Sequence, residues 1–227
     1  MSKNNLKLPR LLLGFDTETT GLDVNSERAI SYGFIAYFDD QPIWSEHFYV
    51  IPDRPIAEAA MRVHGLSVAE ILQKKGEEIV YDSVAGGLSR AVTILREFNK
   101  FGASIVGANV VRFDLAMLSK SYESVHARSL IDENLDVSKL SIIDVIEFDR
   151  LIDKDFSARP RRGLEFLCKH YGIEPGGHHA LGDARATIEV LLKQTKRANP
   201  NQLEFNVTSV SPEFYEWSER IAALLAS

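Results

Sequence analysis

The sequence predicts an α/β fold, a three-layer α/β/α arrangement around a mixed five-stranded sheet. Two observations predict it. Up to about residue 51 the chain carries runs rich in Ile, Val, Tyr, Phe and Trp, and beyond it the apolar period lengthens towards 3.6, with brief apolar stretches between the helical ones. The chain has 227 residues, 45% of them hydrophobic and 26% charged, so it can bury a substantial core and is neither disordered nor fibrous in composition.

The elements follow in order. Residues 10–18 form an apolar run that meets acids at its end, and 29–38 and 42–51 are β-rich segments joined by Asp39-Asp40-Gln41-Pro42, a short turn that makes them an antiparallel hairpin. The first run joins them in a meander. Residues 56–63 and 68–73 are short helices, the second capped by Ser67, and 83–101 is a longer amphipathic helix. A brief strand over 105–108 leads through Asn109 to a helix over 114–125, and a fifth strand covers 141–145. Helices over 163–171 and 180–196 flank the Pro175-Gly176-Gly177 loop. The break at Asn199-Pro200-Asn201 divides one domain, residues 8–198, from a C-terminal extension, 199–227, whose residues 212–226 have the spacing of an amphipathic helix.

Composition also bounds the setting. No run reaches the roughly 18 uncharged apolar residues of a membrane span, and the first ten residues lack a signal-peptide core. One cysteine, Cys168, excludes an internal disulfide and fits a reducing compartment, so a cytoplasmic protein with no membrane partner is expected. A net charge of −6 argues, taken alone, against a nucleic-acid partner.

The acids are where chemistry enters. Asp16 and Glu18, two apart at a strand end, leave the same face roughly 6–7 Å apart. Chance supplies about one Asp-x-Glu in such a chain, so the pair alone reads first as a solvated strand end. Its setting is more telling, an apolar strand running into Asp-Thr-Glu-Thr-Thr-Gly. Asp114 opens a helix, where a carboxylate ordinarily serves the helix dipole, and Asp183 alone would be a surface acid. Together the four, with histidine beside the last, form an oxygen-rich set suited to Mg²⁺ or Mn²⁺. Two such ions about 3.5–4 Å apart, with histidine as base, would serve in-line phosphodiester hydrolysis.

These residues resemble the DEDDh 3'-5' exonucleases, a family that includes the epsilon proofreading subunit of bacterial DNA polymerase III. The first motif is similar to Gly14-Phe15-Asp16-Thr17-Glu18-Thr19-Thr20-Gly21-Leu22, and the second to Val106-Gly107-Ala108-Asn109-Val110-Val111-Arg112-Phe113-Asp114. The third is His178-His179-Ala180-Leu181-Gly182-Asp183, a His-x-Ala-x-x-Asp pattern for which chance predicts only about 0.03 copies. The resemblance implies an RNase H-like fold, metal ligands Asp16, Glu18, Asp114 and Asp183 for two Mg²⁺ or Mn²⁺ ions, and His178 as general base. It also implies that Thr17, Thr19, Leu22, His64, Leu66, Asn109 and Phe113 hold the 3'-terminal nucleotide. Helix spacing alone favours His179 over His178 for the face of Asp183; the family pattern favours His178.

The expected activity is a metal-dependent 3'-5' exonuclease acting on single-stranded DNA and releasing nucleoside 5'-monophosphates. Short RNA or RNA tails are the alternative substrate, and a non-catalytic nucleic-acid-binding or polymerase-associated subunit is the alternative of another class. Other features add less. Cys168 reads as a core thiol, Arg159-Pro160-Arg161-Arg162 as a basic patch able to grip phosphates, and Gln202-Leu203-Glu204-Phe205 as a faint clamp-binding segment. With so few basic patches, the enzyme is expected to be distributive unless a partner, a polymerase or sliding clamp, tethers it.

Overall fold

A computed structural model describes residues 8–153 and 163–198. The basic patch at 159–162, the segment 202–205 and the extension at 199–227 lie outside the described residues.

Strands β1 (Leu11–Thr19), β2 (Ala29–Phe38) and β3 (Gln41–Val50) form the meander. Asp39 and Asp40 close the hairpin with φ of 48° and 64°, the two left-handed residues that a two-residue turn needs to match strand twist. The turn is therefore shorter than the expected four residues, and Pro42 sits in β3 next to the register shift at Ala36/Tyr37, where a missing N–H is tolerated. Helices α1 (Glu58–His64) and α2 (Val68–Gln73) follow. Ser67 and Glu70 form a reciprocal capping box at α2.

The sheet has six strands, not the expected five. Strand β4 (Ile79–Tyr81) adds parallel to β3 at the edge, and three residues are too few to show a period. Helix α3 (Val84–Lys100) is capped by Ser83. Strand β5 (Ser104–Gly107) then pairs parallel to β1, helix α4 (Asp114–His126) follows, and β6 (Ser141–Asp144) pairs parallel to β5. The strand order is β4-β3-β2-β1-β5-β6. A second missed element is α5 (Val145–Ile152): the expected strand ends one residue early because the Asp144 side chain accepts from the Ile146 and Glu147 amides and starts a helix there. Helices α6 (Leu164–Tyr171) and α7 (Ala180–Arg197) complete the described chain.

The two faces of the sheet are packed differently. One carries Leu11, Leu13, Phe15, Tyr32, Phe34 and Phe48 against α3 and α4, with Phe15 and Phe34 stacked at 4.8 Å. The other meets α5, α6 and α7 through Leu12, Ile35, Val106, Leu167 and Ile188. Buried Cys168 belongs to this second layer, as expected, and burial pushes its thiol up to about 11. Among the described residues no helix is long and apolar enough to cross a membrane.

Candidate active site

Asp16 and Glu18 share the α7 face of β1 with Leu12 and Gly14. What brings α7 to them is the absence of side chains. Gly33, the cross-strand partner of Asp16, lies under the first turn of α7, where an added Cβ would fall 2.2 Å from the Ala180 carbonyl carbon. At Gly14 it would fall 2.5 Å from the Ala184 oxygen. With alanines at 180 and 184, helix and sheet meet backbone to backbone, and Asp183 in that first turn reaches the strand acids. One carboxylate oxygen from each of Asp16, Glu18 and Asp183 lies within 4.8 Å of the others. A register shift between Glu18 and Thr19 ends the regular ladder beside them.

Asp114 arrives from the opposite side. Because β5 runs parallel to β1, its C-terminal loop opens at the same end of the sheet. Asn109 takes a left-handed φ of 62°, the Val110 amide donates to Asp144 at 3.1 Å, and the Thr17 hydroxyl donates to Asp114 at 2.7 Å. Asp114 is only 3% exposed.

Crowding these acids away from water raises all four. Burial, then Asp114, Asp183 and Glu18, hold Asp16 well above the usual carboxylate range. Burial, then Asp183 and Asp114, push Glu18 up to about 8. Burial lifts Asp114 to about 7 against the bond from Thr17, and lifts Asp183 against His178 and the backbone N–H groups of Gly176 and His178. Crowded carboxylates that resist ionisation together form a hard, oxygen-only donor set, and a hard divalent ion fits it.

The histidines have different places. His179 caps α7, its Nδ1 accepting from the Gly182 amide at 3.4 Å. His178 stands ahead of the helix at φ 57° and lines a cavity of about 700 Å³ together with Asp16, Thr17, Glu18, Asn109, Phe113, Asp114 and Asp183. Thr19, Leu22, His64 and Leu66 are not among the residues lining it. His64 Nδ1 accepts from the Leu66 amide at 3.0 Å, which leaves Nε2–H to donate to the Thr19 carbonyl at 3.1 Å. The Thr19 hydroxyl donates to the Gly21 carbonyl, Leu66 is buried, and Leu22 is 85% exposed. These four shape the loop next to the cavity.

Three contributors were missed in the sequence. Asp144 anchors the Asp114 loop, and its signal was a helix cap directly after a strand. Gly176 lies against Asp183, where a Cβ would fall 2.2 Å from the Asp183 nitrogen, a close approach that a Pro-Gly-Gly loop does not by itself specify. Gly33 gave no signal, because its partner across the layers is 147 residues away in sequence.

The family model for exonucleases of the RNase T type matches residues 13–191, a span that contains every one of these residues. The chain belongs to the exonuclease family. Among relatives of this exonuclease-family chain, the PolC-type DNA polymerase III of Bacillus subtilis is 25% identical over 85% of the chain and 12% of its own length. That of Lacticaseibacillus paracasei is 27% identical over 81% and 11%. Exonuclease I of Methylocaldum szegediense superposes with a TM-score of 0.66 at 24% identity, over 82% of this chain and 40% of that one. Exonuclease I of E. coli bound to a dA16 oligonucleotide gives 0.66 at 23%, over 85% and 42%. These likenesses establish the shared fold. The chain thus spans about an eighth of the polymerases and about two fifths of the exonuclease I chains.

Proposed function

We propose that the protein is a metal-dependent 3'-5' exonuclease that removes nucleoside 5'-monophosphates from single-stranded DNA. The single observation that carries this reading is the cluster of half-buried Asp16 and Asp183 with buried Glu18, and Asp114 behind it, in a cavity also lined by His178. Asp16, Glu18, Asp114 and Asp183 would hold two Mg²⁺ or Mn²⁺ ions, whose chemistry when bound is to stabilise phosphate charge and ease ionisation of water.

The chain's own residues do the rest. His178 accepts the proton of the attacking water at a ring nitrogen. The new P–O bond forms as the bond to the 3'-oxygen of the preceding nucleotide breaks and that oxygen takes a proton from solvent, leaving a 5'-phosphate on the released nucleotide and a free 3'-hydroxyl on the strand. Phe113 offers a ring face to the terminal base and Asn109 an amide, while Thr17 keeps Asp114 in place. Thr19, Leu22, His64 and Leu66 would border the same nucleotide, and the exposed Leu22 is free to meet a base. The complex of E. coli exonuclease I, which shares this fold, with a DNA oligonucleotide favours DNA over RNA, and similarity to PolC-type polymerases makes a polymerase or its sliding clamp the first partner to test.

The test is a time course on 3'- and 5'-labelled single-stranded DNA, duplex and RNA in Mg²⁺, Mn²⁺ or EDTA. Stepwise loss from the 3' end, abolished by EDTA and slowed more than about 100-fold by Asp16→Ala, is expected. Metal-independent cleavage, release from the 5' end, or tight binding without turnover would sink the proposal, the last in favour of a binding subunit. Faster loss from RNA would move the substrate assignment only.

A further inference from the structure

We infer that His47, on the third strand and remote in sequence from every motif, is a positioning residue that fixes the catalytic loop through the ring of His179. The inference rests on the reading of His178 as base. In register, Asp16, Gly33 and His47 form a row across β1, β2 and β3, so their side chains share the face that α7 covers. Gly33 leaves the middle of that row empty for the first turn of α7. Asp16 and His47 therefore stand on either side of the helix start, the first towards Asp183 and the second towards His179.

His47 is itself held on several sides. Its Nδ1 lies 3.3 Å from Glu78 Oε2, and its Nε2 lies 2.9 Å from the Ser31 hydroxyl. The carboxylate can only accept, which places the proton on Nδ1 and leaves Nε2 to accept from Ser31. Lys74 bonds Glu78 at 3.1 Å and lies over the ring of Tyr49, whose edge meets His47 at 4.5 Å between centroids. The remaining face of His47 packs on His179, with centroids 4.4 Å apart and planes inclined at 41°.

That contact has a task. His178 holds a left-handed φ of 57° directly after Gly177 at 70°, a conformation uncommon for a residue with a Cβ and helped by neighbours that hold it. Before it, Gly176 is wedged against Asp183; after it, His179 is tied to the Gly182 amide and pressed on His47. Remove the His47 ring and one of the restraints on His178 is lost, the bond from its own amide to Asp183 remaining, while Asp16 and Glu18 stay where β1 puts them and Asp114 where α4 does.

The experiment uses the full chain, with turnover of 3'-labelled DNA and hydrogen exchange at the Gly182 amide as separate readouts. His47→Ala should lower kcat by about tenfold at nearly constant KM and speed Gly182 exchange, whereas His47→Phe, which keeps a ring but no hydrogen bonds, should stay within about threefold of wild type in both. His179→Ala should match His47→Ala, and the double variant should be no worse than either. Unchanged kcat and exchange in His47→Ala below its melting temperature, equal losses in His47→Phe, or multiplicative losses in the double variant would overturn the inference. If the wild-type chain lacks nuclease activity, the proposed function fails, and the exchange comparison still decides whether His47 holds the loop.

Discussion

The two faces of the sheet solve different problems with different residues. Towards α3 and α4 the strands present Phe15, Phe34 and Phe48, which fill volume and remove apolar area from water. Towards α7 the same strands present Gly14, Gly33 and then Asp16 and Glu18, which leave volume open and bury charge. The first face provides stability. The second gives some of it up so that a helix backbone can lie on a strand backbone and bring Asp183 beside the acids of β1.

That contrast can be broken from either side. Phe34→Ala should cost about 3–5 kcal/mol in urea unfolding, the largest effect on stability, while the rate per folded molecule stays near wild type; a large loss of turnover in the folded variant would show that the faces are not separable. Gly33→Ala should cost less, about 1–3 kcal/mol, yet slow turnover by about 100-fold, because α7 must move and Asp183 and His178 move with it. Full activity in that variant would refute the close-approach argument.

The acids themselves should show as a pH dependence. Glu18 is held near 8 when folded against an ordinary 4.5, so the folded protein binds the extra proton between these values. Its contribution is fully present below pH 4.5 and is lost as pH rises through 8. Without divalent ions, stability should fall by at most about 5 kcal/mol over that window. Glu18→Gln should flatten the slope in thermal melts, and Mg²⁺ should reverse it; a melting temperature that climbs with pH would contradict the assignment. The smallest effect belongs to Cys168→Ala, about 1 kcal/mol or less with activity intact. Because burial lifts that thiol to about 11, alkylation at pH 8 should be slow until urea is added.

Legibility in the sequence followed the range over which each cause acts. β2 and α2 coincide with their expected limits because their signals, a strand period and the Ser67–Glu70 box, are local. β4 was invisible because three residues acquire meaning only from pairing with β3, and α5 was hidden behind a strand whose last residue is also a helix cap. At the site, Asp16, Glu18, Asp114 and Asp183 stand out through motif spacing, while the places of His178 and His179 depend on where α7 starts, which the two glycines before them leave open. Gly33 and His47 carried no signal, because each depends on a partner more than 100 residues away.

Helix α7 also sets a distance. Its first turn carries Asp183, and near its other end the Gln194 side chain donates to the Val145 carbonyl at 2.8 Å, so the rod is fastened at both ends. Lys196, exposed on the last turn, lies about 20 Å along the axis from Asp183. A dye placed there would sit within energy-transfer range of a labelled strand end without touching the chemistry, which makes the helix a built-in ruler for testing whether the proposed DNA substrate arrives.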